Sequence, residues 1–261
     1  MAMRLAVAQL AVGEDLARNA CRIAAFMEKA ARHGVDLVCF PEMSLTGYHP
    51  AVLGEPELNA RVEAALAELA SAGRDLGVGA IVGHGWRMGD ALFNRASVLL
   101  PDGRRFCYDK LHPTEEELKY FRRGAEILCF PFGERRAGVI ICRDQNDPFL
   151  ARRLREEGAG VLFILAAHYY KPKEARWKVE KNRALPIARA VENKMHVLLA
   201  NTVGSHLGMV SLGNSLIVDP DGCVVAAAGE AEETLLTLSL DGLEIQGAPG
   251  AVQLEGMRPR S

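Results

Sequence analysis

Ala137-Gly-Val-Ile-Ile-Cys142-Arg-Asp-Gln-Asn-Asp147-Pro148 is the stretch on which the fold class turns. A β-branched apolar run reads as a buried strand ending at Cys142, and Asp147-Pro148 then reads as a helix start. An aspartate accepts a hydrogen bond from a free first-turn N–H, and proline at the first helical position has no N–H to lose. Gly158 suits the left-handed residue just past the helix end. A buried strand that turns directly into a helix is the building unit of an α/β protein.

The same alternation extends outward in both directions. Short apolar runs at 5–10, 36–40, 80–83, 96–100, 138–142, 161–166, 196–201, 215–219 and 235–240 read as buried strands. Between them Leu16, Ala20, Ile23, Met27 and Ala30 form one apolar stripe at helical spacing, as do Leu58, Val62, Leu66 and Leu69. Val179, Ile187 and Val191 do so more loosely. Pro101-Asp-Gly103 and Pro220-Asp-Gly222 are turn signals, each between two strands. The two strand–turn–strand units, 96–108 and 215–226, hint at an internal duplication. We expect one α/β domain over 1–241, with helices covering mixed sheets, and a C-terminal tail over 242–261.

Composition narrows the function classes. The chain of 261 residues is long enough for a substantial core. A net charge of -2 gives no reason to expect nucleic acid. Arg152-Arg153-Leu-Arg155 runs at once into Glu156-Glu157 and reads as a solvated helix face. No apolar run approaches the roughly 20 residues that span a bilayer, so no membrane association is expected. The N-terminus enters a strand-like run without a cleavable signal pattern. Cys21, Cys39, Cys107, Cys129, Cys142 and Cys223 are scattered, as reduced cysteines would be, and a cytoplasmic location follows as an expectation. The histidines show neither H-x-H nor H-E-x-x-H spacing, so no metal site is legible and no cofactor is expected.

Four residues stand out by position. Cys142 ends its strand at a sharp turn, where backbone N–H groups can face an oxyanion. Glu42 follows Phe40-Pro41 at the carboxyl end of another strand, the place where α/β proteins put ligands. Lys110 follows a strand in Tyr108-Asp-Lys110-Leu-His112, and Glu117 lies in an acidic turn. Taken singly, each has an ordinary reading: a small core residue, a loop charge, a surface lysine and a solvated glutamate.

Taken in order, they resemble the nitrilase superfamily of carbon–nitrogen hydrolases. The resemblance is carried by Phe40-Pro-Glu42 with Thr46-Gly-Tyr48, Lys110-Leu-His112, Glu117-x-x-Tyr-Phe121 and Ile141-Cys142-x-Asp144. Asn94, Arg189-Ala-x-Glu192-Asn193, Ala200-Asn201-x-Val-Gly204 and Ser215-Leu-Ile-Val-Asp-Pro-Asp-Gly222 extend it over almost the whole chain. It implies a four-layer α-β-β-α sandwich with mixed sheets and a Glu42–Lys110–Cys142 triad with Glu117 as an auxiliary carboxylate. It further implies that Glu42 takes the thiol proton, that Lys110 and the backbone N–H of Arg143 hold the oxyanion, and that Glu117 orients Lys110 and substrate.

The expected reaction is cleavage of a small linear amide through a cysteine thioester, releasing ammonia or an amine. An N-carbamoyl-amine hydrolase or a nitrilase with the same triad is an alternative, and a non-catalytic binding protein that keeps the fold is another. Related enzymes commonly continue after Cys-x-Asp with an aromatic and then Pro-Glu, where this chain has Gln145-Asn-Asp-Pro148-Phe149. The stretch Ala167-His168-Tyr169-Tyr170-Lys171 also leaves the family pattern. Tyr48, His112, Gln145, His168 and Tyr169 are therefore the expected substrate contacts. Resemblance and the apolar tail residues Leu243, Ile245, Val252, Leu254 and Met257 together suggest a homodimer or larger homo-oligomer, with the tail laid on a partner subunit.

Overall fold

The computed structural model describes residues 3–240 and the strand Ile245–Gln246. In chain order the elements begin β1 (Arg4–Gln9), α1 (Leu16–Arg32), β2 (Leu37–Cys39), α2 (Pro50–Leu53), α3 (Leu58–Leu76), β3 (Gly79–Met88), β4 (Ala91–Leu99) and β5 (Arg105–Asp109). They continue with β6 (Leu128–Phe132), β7 (Arg135–Ile141), α4 (Pro148–Glu156), β8 (Val161–Leu165), α5 (Pro172–Asn193) and β9 (His196–Ala200). Last come β10 (Val203–His206), β11 (Met209–Leu212), β12 (Leu216–Val218), β13 (Val224–Ala227), β14 (Thr234–Ser239) and β15 (Ile245–Gln246).

Two mixed sheets stack face to face. One is seven-stranded in the order β15-β14-β1-β2-β3-β4-β5, the other six-stranded in the order β13-β12-β9-β8-β7-β6. In the first, β1, β2 and β3 run parallel; in the second, β7, β8 and β9 do. Side chains alternate across a strand, so a sheet covered on both faces must be apolar at every position. On the first sheet Ala6, Ala8, Val38 and Phe40 face Ile23 and Met27 of α1 and Val62 and Leu66 of α3. The intervening Leu5, Val7, Leu37 and Cys39 pack in a central layer with Val139, Ile141, Phe163 and Leu165 of the second sheet. Ile140, Leu162 and Ile164 turn the other way, onto Leu150 and Leu154 of α4 and Ala190 of α5. The architecture is the expected α-β-β-α sandwich, with the parallel strand ends of both sheets meeting at one end. There the N–H of Glu42, beyond β2, donates to the carbonyl of Ala166, beyond β8 (3.3 Å), and Leu10 bridges to Thr202.

Local signals hold in most places. Asp147 accepts a hydrogen bond from the N–H of Phe149 with Pro148 at the first helical position, and Gly158 has φ 91°. Both Pro-Asp-Gly turns join antiparallel strands, β4 to β5 and β12 to β13. Three expectations change. The strand expected to include Cys142 stops at Ile141, and Cys142 instead opens a tight 3-10 turn, Cys142–Asn146, because Asp144 takes the N–H of Ile141 (2.9 Å) and folds the chain back. The stripe Val179–Ile187–Val191 is not the buried face of α5. Val191 is exposed and the buried positions are Ala175, Pro186, Arg189, Ala190 and Asn193, since hydrogen bonding lets Asn193 take an interior place. Strand β6 and the β10–β11 hairpin were not foreseen: Pro131 is tolerated in β6 only because that strand lies at a sheet edge. Of the tail, Ile245–Gln246 pairs with β14, and the remainder lies outside the described residues.

Candidate active site

The site is assembled by strand ends. Beyond β2 the chain passes through Phe40 and Pro41 to Glu42, which is 1% exposed. It runs so close to β3 that a Cβ on Gly83 would lie 2.5 Å from the Met43 nitrogen, so only glycine leaves room there. Lys110 follows β5, and its N–H bonds the Asn94 carbonyl of β4 (2.9 Å), which carries the side chain into the interior. Cys142 follows β7 with φ 46°, a left-handed backbone that side chains avoid and that active sites recurrently hold.

A buried lysine is tolerable only with partners, and Lys110 has two carboxylates. Its Nζ donates to Glu42 Oε1 (2.6 Å) and to both oxygens of Glu117 (2.9 Å each). Asn94 Nδ2 ties the pair together, donating to Glu42 Oε1 (2.7 Å) and to Glu117 Oε1 (3.1 Å), and also to the Tyr48 hydroxyl (3.1 Å). That hydroxyl donates in turn to Glu117 Oε1 (3.3 Å), while the Thr114 N–H donates to Glu117 Oε2 (2.7 Å). Glu117 thus belongs to a network rather than to a solvated turn.

The electrostatics separate the two carboxyl groups. Burial pushes Glu42 above the usual carboxylate range, outweighing the attraction of Lys110. Glu117 is also penalised by burial, yet Lys110, the Thr114 N–H and Asn94 hold it below its ordinary value. Lys110 loses solvation, but Glu42, Cys142 and Glu117 keep it firmly protonated. The Cys142 thiol is pushed up by burial and by the charge of Glu42, against the pull of Lys110 and a backbone hydrogen bond at Ala167. Carboxyl groups driven apart in this way divide the labour: Glu42 can carry a proton, and Glu117 stays a fixed anion.

Asp144 braces the turn. Fully buried, it accepts from the Tyr108 hydroxyl (2.7 Å), the His112 N–H (2.7 Å) and the Ile141 N–H. The His112 ring also turns to Asp144, at 3.1 Å. The contacts of His112 therefore secure the cysteine turn. Arg143, the expected oxyanion donor, lies inside that turn. Gln145 Nε2 meets His168 Nε2 at 3.4 Å, and the His168 N–H donates to Asn201 Oδ1 (3.0 Å), so Gln145 and His168 are brought together beside Cys142. A narrow crevice next to Glu42 is bounded by Tyr48, Tyr169, Thr202 and His206. Sequence reasoning assigned no role to Asn94 or Asn201. Their signal was a polar residue inside or ending an apolar strand run, because a buried amide must find partners.

A buried acid–lysine–thiol cluster at the strand ends of an α-β-β-α sandwich defines a thiol hydrolase class. The chain belongs to the carbon–nitrogen hydrolase family, whose profile matches residues 4–249. It is 32% identical over 228 residues to a Pyrococcus abyssi protein named nitrilase, covering 86% of this chain and 84% of that one. It is 31% identical over 221 residues to a Bacillus subtilis 2-oxoglutaramate amidase, covering 83% and 82%. The fold matches the crystal structure of an amidase from Nesterenkonia sp. with a TM-score of 0.81 at 26% identity, over 91% of this chain and 90% of that one.

Proposed function

We propose that this chain hydrolyses a small linear amide through a thioester on Cys142. The observation that carries the reading is the ammonium of Lys110, buried between Glu42 and Glu117 and acting electrostatically on the Cys142 thiol. Ion pairs this deep do little for stability, because desolvation consumes the Coulombic gain. Chemistry gives the arrangement a reason.

Glu42 takes the thiol proton as sulfur attacks the carbonyl carbon, and the carbonyl electron pair moves onto oxygen. Lys110 and the Arg143 N–H hold that oxyanion; one such donor is worth roughly 3–4 kcal/mol elsewhere. Collapse breaks the carbon–nitrogen bond, and Glu42 returns its proton to the departing ammonia or amine. Glu42 then removes a proton from water, which attacks the thioester and releases the carboxylic acid and the thiol. Glu117, held ionised, keeps Lys110 charged and aimed. Tyr48, Gln145, His168 and Tyr169 form the wall against which substrate lies. The amidase of similar fold supports the reading: a cysteine-to-alanine variant of it is described in complex with butyramide, and a glutamate-to-glutamine variant with the acetamide moiety of fluoroacetamide added covalently at its active-site cysteine.

The test is iodoacetamide labelling with adduct mapping beside ammonia release from aliphatic amides. The expected result is inactivation in step with modification of Cys142, and Cys142→Ala folded but losing about four to six orders of magnitude in turnover. Loss of activity through another cysteine, with Cys142 unmodified, would refute the assignment. Ammonia from an amide with none from the matching nitrile separates this reading from nitrile cleavage.

A further inference from the structure

The resting site spends the donors of its lysine entirely on carboxylates. Lys110 carries three N–H groups, and three carboxylate oxygens lie within hydrogen-bond distance of its Nζ: Glu42 Oε1 (2.6 Å) and both oxygens of Glu117 (2.9 Å each). One N–H must therefore leave a carboxylate as an oxyanion forms. The bond to Glu42 is the one that weakens, because Glu42 gains the thiol proton in that step and loses its charge. Glu117, held below its ordinary value, stays ionised and keeps its grip on the lysine.

Glu42 then needs a second anchor, and Asn94 supplies one. The asparagine stands on β4, buried, and its Nδ2 reaches Glu42 Oε1 (2.7 Å), Glu117 Oε1 (3.1 Å) and the Tyr48 hydroxyl (3.1 Å). Two hydrogens serve three acceptors, and the shortest contact is to Glu42. Charge fixes which end of the amide faces the carboxylates, since its carbonyl oxygen would be repelled by both. The other end is left bare: among the described residues, the buried Asn94 Oδ1 has no hydrogen-bond partner. An asparagine kept for packing would satisfy both ends, because a buried polar atom without a partner is destabilising. This one is satisfied only toward the carboxylates.

The same two donors distinguish the oxygens of Glu42. Lys110 and Asn94 both point at Oε1 and fill its two lone pairs, which leaves Oε2 for the thiol. We infer that Asn94 is a positioning residue: it holds Glu42 Oε1 while Lys110 turns to the oxyanion, so that Oε2 carries the proton from Cys142 to the leaving nitrogen. The inference rests on the amidase reading above and adds a residue to that site. As the Sγ–H proton passes to Oε2, the sulfur–carbon bond forms and the carbonyl pair moves onto oxygen; nothing is oxidised or reduced. The titratable groups facing Glu42 are Lys110, Glu117, Tyr48 and Cys142, with Tyr169 and His206 across the crevice. A change at Asn94 removes none of them, so a displaced pH profile reads the lost N–H.

The test is the pH profile of Asn94→Leu, close in size and without donors. It is read as kcat/KM for butyramide and as the rate of Cys142 alkylation by iodoacetamide, which needs no substrate. Losing one hydrogen bond to the carboxylate should move the acid limb of both profiles up by about one pH unit. The kcat should fall by about ten- to a hundredfold with KM nearly unchanged. Asn94→Asp keeps the shape but sets a third carboxyl beside the other two, so the limb should move at least as far; this variant decides if the leucine one does not fold. An acid limb that stays in place, whether activity falls evenly at every pH or not at all, would overturn the inference and leave the amidase reading standing. A parent that releases no ammonia from butyramide, with Cys142 inert to iodoacetamide, would overturn both.

Discussion

The two halves of the sandwich follow one plan and carry different loads. In the first, β1-α1-β2-α3-β3 is followed by the β4–β5 hairpin; in the second, β7-α4-β8-α5-β9 is followed by the β12–β13 hairpin. Each hairpin turns on Pro-Asp-Gly, and each half has three adjacent parallel strands. Yet corresponding positions have diverged. The end of β7 is followed by the strained Cys142, whereas β1 ends in Gln9, whose amide accepts from the Ser215 N–H (2.9 Å) and donates to the carbonyls of Gly229 and Glu232 (2.9 Å each). Beyond β2 stands Glu42, a carboxylate; the corresponding segment beyond β8 leads to His168, a neutral ring. The chain after β5 delivers Lys110, while the chain after β13 delivers Gly229, an acceptor for Gln9. The first half supplies Glu42, Lys110 and Glu117, the second Cys142, Gln145 and His168. A shared arrangement of parallel strands fixes where strand ends lie; which residue stands there decides between chemistry and bracing.

Breaking the charged half should have the largest effect. Lys110→Ala removes the countercharge of Glu42 and Glu117, so acylation should slow by orders of magnitude. Stability at neutral pH should fall by about 3–5 kcal/mol, the cost of stranding a buried charge. Because Glu42 is already raised, its proton offsets part of that loss in acid, and the deficit should grow as pH rises. Arginine should not rescue the rate, since a planar guanidinium does not fit the space of an ammonium. Urea unfolding across pH, beside single-turnover acylation, checks each part.

Breaking the bracing contact at the end of β1 should act on stability alone. Gln9→Ala leaves the Ser215 N–H and the Gly229 carbonyl without this partner, a loss of about 1–3 kcal/mol. Alkylation of Cys142 should proceed at the parent rate. A variant that keeps its unfolding midpoint but loses thiol reactivity would show that bracing and chemistry are not divided between strand ends as described.

A smaller, pH-resolved effect belongs to His168, whose pKa burial pushes down to about 3 from 6.5. The unfolded chain therefore binds a proton through this interval that the folded chain refuses. The contribution is complete above pH 6.5 and is lost as pH falls toward 3. His168→Asn should flatten this part of the stability profile, measured as urea midpoints at either end of the interval. The smallest expected effect on the site itself comes from the tail. We propose that the working species is at least a dimer, with the tail after the β14–β15 pairing laid on the partner. Light scattering of the full chain beside a version ending at Asp241 checks this, and an unchanged mass would end the proposal.

Much of this molecule was legible because its signals are local. The period of apolar residues placed α1, α3 and the parallel strands, and the Asp147-Pro148 pair marked the start of α4. The order and spacing of Glu42, Lys110, Glu117 and Cys142 carry the family resemblance without any contact between them. Where the signal is weak, reading failed: β6 is short and interrupted by Pro131, and α5 buries Arg189 and Asn193 where an apolar stripe was expected.

By itself the sequence determined the fold class and the residue types available for chemistry, since periodicity and turn residues act over one or two turns of chain. Only the tertiary structure decided how those residues are coupled. Asn94 joins Glu42 to Glu117 across the sheet, Asp144 ties the cysteine turn to Tyr108 and His112, and Gln9 reaches Ser215 at a separation of 206 residues. Such contacts leave no periodic trace, because a buried polar group takes whichever partner the packed sheets bring within hydrogen-bonding distance.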